Sequence, residues 1–94
     1  MSRINTTGIN PKNGEPVEVS YGYDEVPGFT PGYFFQVFSS NEEDIEKDPS
    51  GEGMILNEGF LEGISKEELR SLAATYSVSL NIWYANIVFN SYMI

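Results

Sequence analysis

The stretch GFTPGYFFQVFSS, residues 28–40, decides the fold. Pro31 and Gly32 punctuate a turn, because Pro fixes φ and Gly accepts backbone angles that other residues avoid. Tyr33 to Ser39 then reads as a β-strand. One face carries Tyr33, Phe35 and Val37, and the other carries Phe34, Gln36 and Phe38. A strand that is apolar on both sides sits centrally in a sheet and is covered on both faces. The first face needs a helical layer. The second needs loop residues such as Val26 and Phe29, a second copy of the chain, or a partner.

Upstream, Val17, Val19, Tyr21 and Tyr23 alternate with Glu18, Ser20, Gly22 and Asp24. This is the period-two pattern of a half-buried strand. The Asn13-Gly14 pair before it is a hairpin signal, since both residues accept positive φ. Its partner strand, around Arg3 to Ile9, is the weaker of the two. Downstream, Asn41 to Lys47 has the makings of one helical turn. Asp48-Pro49-Ser50-Gly51 suits a type I turn. Gly53 to Asn57 forms a further strand, and Gly59 to Gly63 a loop with Phe60 and Leu61 turned inward. Ser65-Lys66-Glu67-Glu68 is a capping box, in which the Ser hydroxyl accepts from the Glu68 amide. Leu69, Leu72, Ala73 and Tyr76 follow at helical spacing. A second helix over about Leu80 to Phe89 completes the reading. The expected fold is α+β in a single domain over 1–94: an antiparallel sheet of three to four strands with one or two C-terminal helices packed on one face.

Composition excludes several kinds of chemistry. The 94 residues contain no Cys and no His. That removes disulfides, thiolate nucleophiles, the commonest general base and the commonest transition-metal ligand. A Ser nucleophile would need a Lys base, and none of Lys12, Lys47 and Lys66 has apolar neighbours. The net charge is −9. Nucleic acid and anionic membranes both demand cations on the protein, so neither is expected as a direct partner. No stretch reaches the roughly 18 apolar residues of a membrane span. The N-terminal segment has no apolar run of the kind a secretory signal requires, so Asn5-Thr6-Thr7 is read as a chance sequon, and a cytoplasmic setting is expected. No cofactor is expected.

The charge is unevenly spread. Ten carboxylates fall between Glu42 and Glu68, against Lys47 and Lys66, whereas Ser71 to Ile94 has no charged side chain. The acidic segment supports three readings. Glu42, Glu43, Asp44, Glu46, Asp48 and Glu52, together with Phe29, Tyr23 and Asp24 of the aromatic loop, would carry contact with another protein. Alternatively, those acids would stand in for phosphates and inhibit a basic nucleic-acid-binding protein. Or the segment from Glu46 would hold calcium weakly. Oxygen donors recur there on alternate residues with Gly51 at the sharp turn, although the bidentate Glu of a calcium loop is missing at Asn57. The aromatic density of residues 21–38 also suits an interface, with a homodimer as the alternative cover.

The segment YGYDEVPGFTPGYFFQVF, residues 21–38, resembles a pattern in small bacterial and plasmid-borne proteins. These pair a Y-G-x-D strand end with G-Y-F-F-Q-V-F, followed by an acidic loop and a capped helix. Gly22, Asp24 and Gly32 to Phe38 carry the resemblance. It implies a stand-alone small domain and no particular activity. The most economical reading of the whole chain is a non-enzymatic protein-binding module.

Overall fold

The computed structural model describes residues 2–24, 27, 28 and 30–80. Its elements are β1 (Ser2–Ile9), β2 (Pro16–Asp24), β3 (Gly32–Phe38), α1 (Glu42–Lys47), β4 (Met54–Glu58) and α2 (Lys66–Thr75). The four strands form one antiparallel sheet in the order β1-β2-β3-β4. The α+β expectation holds. The short acidic helix α1 lies between two strands, where a helical turn was expected, and among the described residues α2 is the one helix that follows the sheet. The expected second helix over Leu80 to Phe89 falls almost wholly outside the described residues, as do Val26 and Phe29.

Antiparallel pairing aligns the alternating residues of β2 and β3. Val19 faces Val37, Tyr21 faces Phe35, and Tyr23 faces Tyr33. One face of the sheet is thereby apolar across its centre. Helix α2 covers it, inserting Leu69 and Ala73, and Val78 closes the far side. Phe35 and Val37 are fully buried there, and the Phe35 ring lies 5.9 Å from Tyr76. Burying each such side chain contributes about 1.5–3 kcal/mol. The helix begins where the capping pattern placed it: Ser65 accepts from the Glu68 amide at 3.1 Å. Its end is tied to the sheet, since the Ile9 amide donates to the Tyr76 carbonyl at 2.7 Å.

Strand β1 is better formed than its composition suggests. All eight of its residues are in register with β2. Its apolar content is low because only Ile4, Thr6 and Gly8 share the covered face, opposite Tyr21, Val19 and Val17. The hairpin joining the two strands is not a two-residue Asn-Gly turn. It spans Asn10 to Glu15, closed by bonds from Gly14 N–H to the Asn10 carbonyl and from Asn10 N–H to the Glu15 carbonyl, both 2.8 Å. Gly14 alone takes positive φ, at 73°, while the Asn13 side chain accepts from the Glu15 amide.

The opposite face answers part of the question posed by Phe34 and Gln36. Phe34 is fully buried. The Arg3 guanidinium sits 4.8 Å above its ring, and Phe60 meets it edge-on at 6.0 Å. Beside Phe34 runs a polar row, one residue per strand: Asn5, Ser20, Gln36 and Asn57. The second face is thus partly closed by the chain's own side chains.

Candidate functional site

Strand β3 ends at Phe38, and the chain then turns into α1. Ser39 Oγ accepts from the Asn41 amide at 3.1 Å, and Asn41 Oδ1 caps the helix by accepting from Glu43 N–H at 2.9 Å. Glu42, Glu43 and Asp44 occupy the first turn and Lys47 the last. This polarity complements the helix dipole. The helical turn expected over Asn41 to Lys47 is present, and it orders Glu42, Glu43, Asp44 and Glu46. Glu42, Glu43 and Glu46 are exposed, and Asp44 is half-buried.

The helix flanks two open grooves at one end of the sheet. One, of about 470 Å³, is floored by Pro16, Val17, Phe38 and Ile45 and edged by Glu18 and Glu52. The other, of about 680 Å³, runs between Glu15, Pro16, Ser40, Asn41, Glu42 and Glu43. None of the described residues lining either groove is Lys or Arg. Glu15, Glu18, Phe38 and Ile45 were not among the site residues expected from sequence. They belong here because the register sets Glu18 opposite Phe38. That pairing was in principle legible from the alternation of the two strands.

The expected site residues do not form one surface. Asp24 pairs with Gly32, at the opposite end of the sheet from Glu18 and Phe38. Six residue steps along the strand separate the two ends, about 20 Å. Tyr23 turns toward the covered face, half-buried, with its ring 5.0 Å from Tyr33 in an edge-on contact. Phe29 is outside the described residues. The acidic and aromatic groups could join in a single contact only with a large partner.

Asp48 has a role within the fold. Its carboxylate accepts from Ser50 N–H at 3.0 Å, from the Ser50 hydroxyl at 2.8 Å and from Met54 N–H at 2.8 Å. The expected turn is present, with Gly51 N–H bonded to the Asp48 carbonyl. The Met54 amide first, then the Ser50 hydroxyl and amide, hold the Asp48 carboxyl below its ordinary range. A carboxylate with a depressed folded pKa stabilises the fold above its unfolded pKa, and that contribution is lost as pH falls through the folded value. Acid titration followed by amide NMR should therefore show the Met54 and Ser50 amides moving together, with a midpoint below the ordinary aspartate range. A midpoint at or above that range would contradict the bonding described. Among the described residues, no group of three or more acids converges as a metal site. No described helix is long and apolar enough to cross a membrane.

No family model matches the chain, and neither a curated protein nor a solved structure does so.

Proposed function

We propose that the chain is a non-enzymatic protein-binding module that works in the cytoplasm. Its contact surface is the α1 end of the sheet: Glu42, Glu43, Glu46, Glu18 and Glu52 around the apolar floor of Phe38 and Ile45. The observation that carries this reading is the pairing of an apolar groove floor with a rim whose charged residues are all acidic. Such a surface suits a partner presenting an apolar side chain flanked by Lys or Arg. The apolar floor supplies affinity, and the rim supplies orientation and a faster encounter. Asp48 is left out of the contact because its carboxylate is engaged within its own loop.

A second reading has its own support. An inhibitor that imitates nucleic acid needs its carboxylates held in place before binding, since ordering a loop costs affinity. Glu42, Glu43 and Glu46 stand exposed on an ordered helix. Salt separates the two readings, because charge-driven contacts weaken as ionic strength rises and apolar ones do not. The immobilised chain is exposed to lysate and eluted with a salt gradient, alongside an E42Q/E43Q/D44N variant and an Ile45→Ser variant. A partner that resists salt and is lost with Ile45→Ser supports the binding module. Basic nucleic-acid-binding proteins released by salt and lost with the triple variant support the inhibitor. Retention unaffected by either variant removes α1 from both.

A further inference from the structure

We propose that Arg3 and Asn5, at the β1 end of the polar row that Arg3 orients, form a binding site for a small monocarboxylate on the second face of the sheet. The argument starts from what Arg can do. Its guanidinium only donates, so every group it touches must turn an acceptor toward it. Arg3 Nη1 donates to Ser20 Oγ at 2.8 Å and to Gln36 Oε1 at 2.9 Å. With Oε1 committed, Gln36 Nε2 faces outward along the row and donates to Asn57 Oδ1 at 3.2 Å. Ser20 accepts from Arg3 and so passes its own proton on, to Asn5 Oδ1 at 2.8 Å. A single cation thereby sets the orientation of all four polar side chains. The side-chain oxygens of the row are all engaged within it. At the β1 end of the row, next to Arg3, this leaves Asn5 Nδ2 as a donor on an exposed residue.

Arg3 itself adds the decisive donors. Both of its hydrogen bonds leave from Nη1, which uses the two N–H groups of that nitrogen. Nε and Nη2 remain, side by side and parallel, and this is the edge that receives two carboxylate oxygens. Among the described residues Arg3 contacts Ser20, Gln36 and the face of Phe34, none of them a carboxylate. The fork is also held in place. Ser20 and Gln36 are 3% and 5% exposed, and the Phe34 ring supports the guanidinium from below.

Arg3 and Asn5 both line a groove of about 430 Å³, together with Thr7, Glu18, Ser20 and Phe38. That volume is within the range of small-molecule clefts, about 300–1,000 Å³. Its far end limits the ligand, because Glu18 repels a second anionic group. The ligand is therefore a monocarboxylate with a body that carries no further negative charge. Glu18 lies two residues along β2 from Ser20, which the Arg3 guanidinium bonds, and it lines the same groove, so it lowers the affinity for any anion and the expected binding is weak.

The test uses the full ¹⁵N-labelled chain and acetate as the probe. Sodium acetate replaces sodium chloride at constant ionic strength, up to about 100 mM. The expected result is a saturable shift of the Arg3 Nε–H and of the Asn5 side-chain NH₂ signals, with a Kd in the millimolar range. Acetamide should leave these signals in place. Asn5→Asp keeps the acceptor for Ser20 and substitutes an anion for the outward donor, so it should weaken acetate binding at least tenfold. Arg3→Lys removes the fork and should abolish the response. Shifts that rise without saturating, that chloride reproduces, or that persist undiminished in Asn5→Asp would overturn the proposal.

Discussion

Phe35→Ala is expected to lower the urea midpoint of unfolding by roughly 2–3 M, the largest effect of any single truncation described here. Phe35 is fully buried at the centre of the sheet, between Tyr21 across the strand and Tyr76 beyond the helix. Removing a ring from such a place costs its transfer free energy and leaves a cavity, about 3–5 kcal/mol together. The cavity cannot close easily. Its walls are strands fixed by ladder bonds and a helix tied at both ends, by the Ser65 cap and by the Ile9–Tyr76 bond. A domain of this size has only about 5–15 kcal/mol of stability in all. A midpoint shift below half a molar would mean that Phe35 is not the centre of the core.

The second large effect is expected at Gly53→Ala. Gly53 has φ of +76° and lies where the chain returns from α1 to β4. An added Cβ would collide with the Ser39 carbonyl and reach 3.0 Å from Ile45 Cγ1. The same glycine accepts from the Ser39 amide at 2.8 Å. The left-handed backbone costs about 1–2 kcal/mol for a residue with a Cβ. Overpacking adds about 1–3 kcal/mol. Gly51 supplies the control. It shares the positive φ, at 75°, but has open space where its Cβ would be. Gly51→Ala should therefore cost only the backbone term. The difference between the two variants in equilibrium unfolding isolates the collision, and equal losses would show that α1 yields freely. Because Ile45 floors the groove, Gly53→Ala should also shift the Glu42, Glu43 and Ile45 amide signals, whereas Gly51→Ala should leave them in place.

The residues that announce the fold are those whose spacing alone is decisive. Alternation marked β2 and β3, the Ser65–Glu68 cap marked the start of α2, and Asp48 to Gly51 marked a turn that closes as expected. What the sequence reading understated depends on pairing between distant segments. Strand β1 carries few apolar residues because Gly8 sits where the Tyr76 carbonyl passes, 2.6 Å from the place a Cβ would occupy. That approach is not written in β1 itself. Alternation placed Tyr23 on the apolar face with Tyr21, and its ring indeed packs against Tyr33, which sets it apart from the contact surface it was also expected to join. The polar row shows the same limit more sharply. Asn5, Ser20, Gln36 and Asn57 have nothing in common until three registers line them up. Of the candidate site, the acids of α1 were legible as a cluster. Their apolar floor was not, since Phe38 and Ile45 meet only through the turn after β3.

The strand order has a consequence for how the chain is made. Every strand pairs only with its neighbours in sequence, across connections of 6, 7 and 15 residues. Closing the longest of these costs only about 0.8 kcal/mol more than closing the shortest, because the entropy grows with the logarithm of loop length. The order in which strands leave the ribosome is also the order in which they lie side by side. Nascent β1, β2, β3 and β4 can zip together as they emerge. Helix α2 is synthesised after all four, so for that interval Val19, Phe35 and Val37 face water on a finished sheet without its cover. The sticky stage in the folding of this domain then lasts from the pairing of β4 to the docking of α2, and the acidic segment, made just before α2, supplies like-charge repulsion between nascent chains while it lasts.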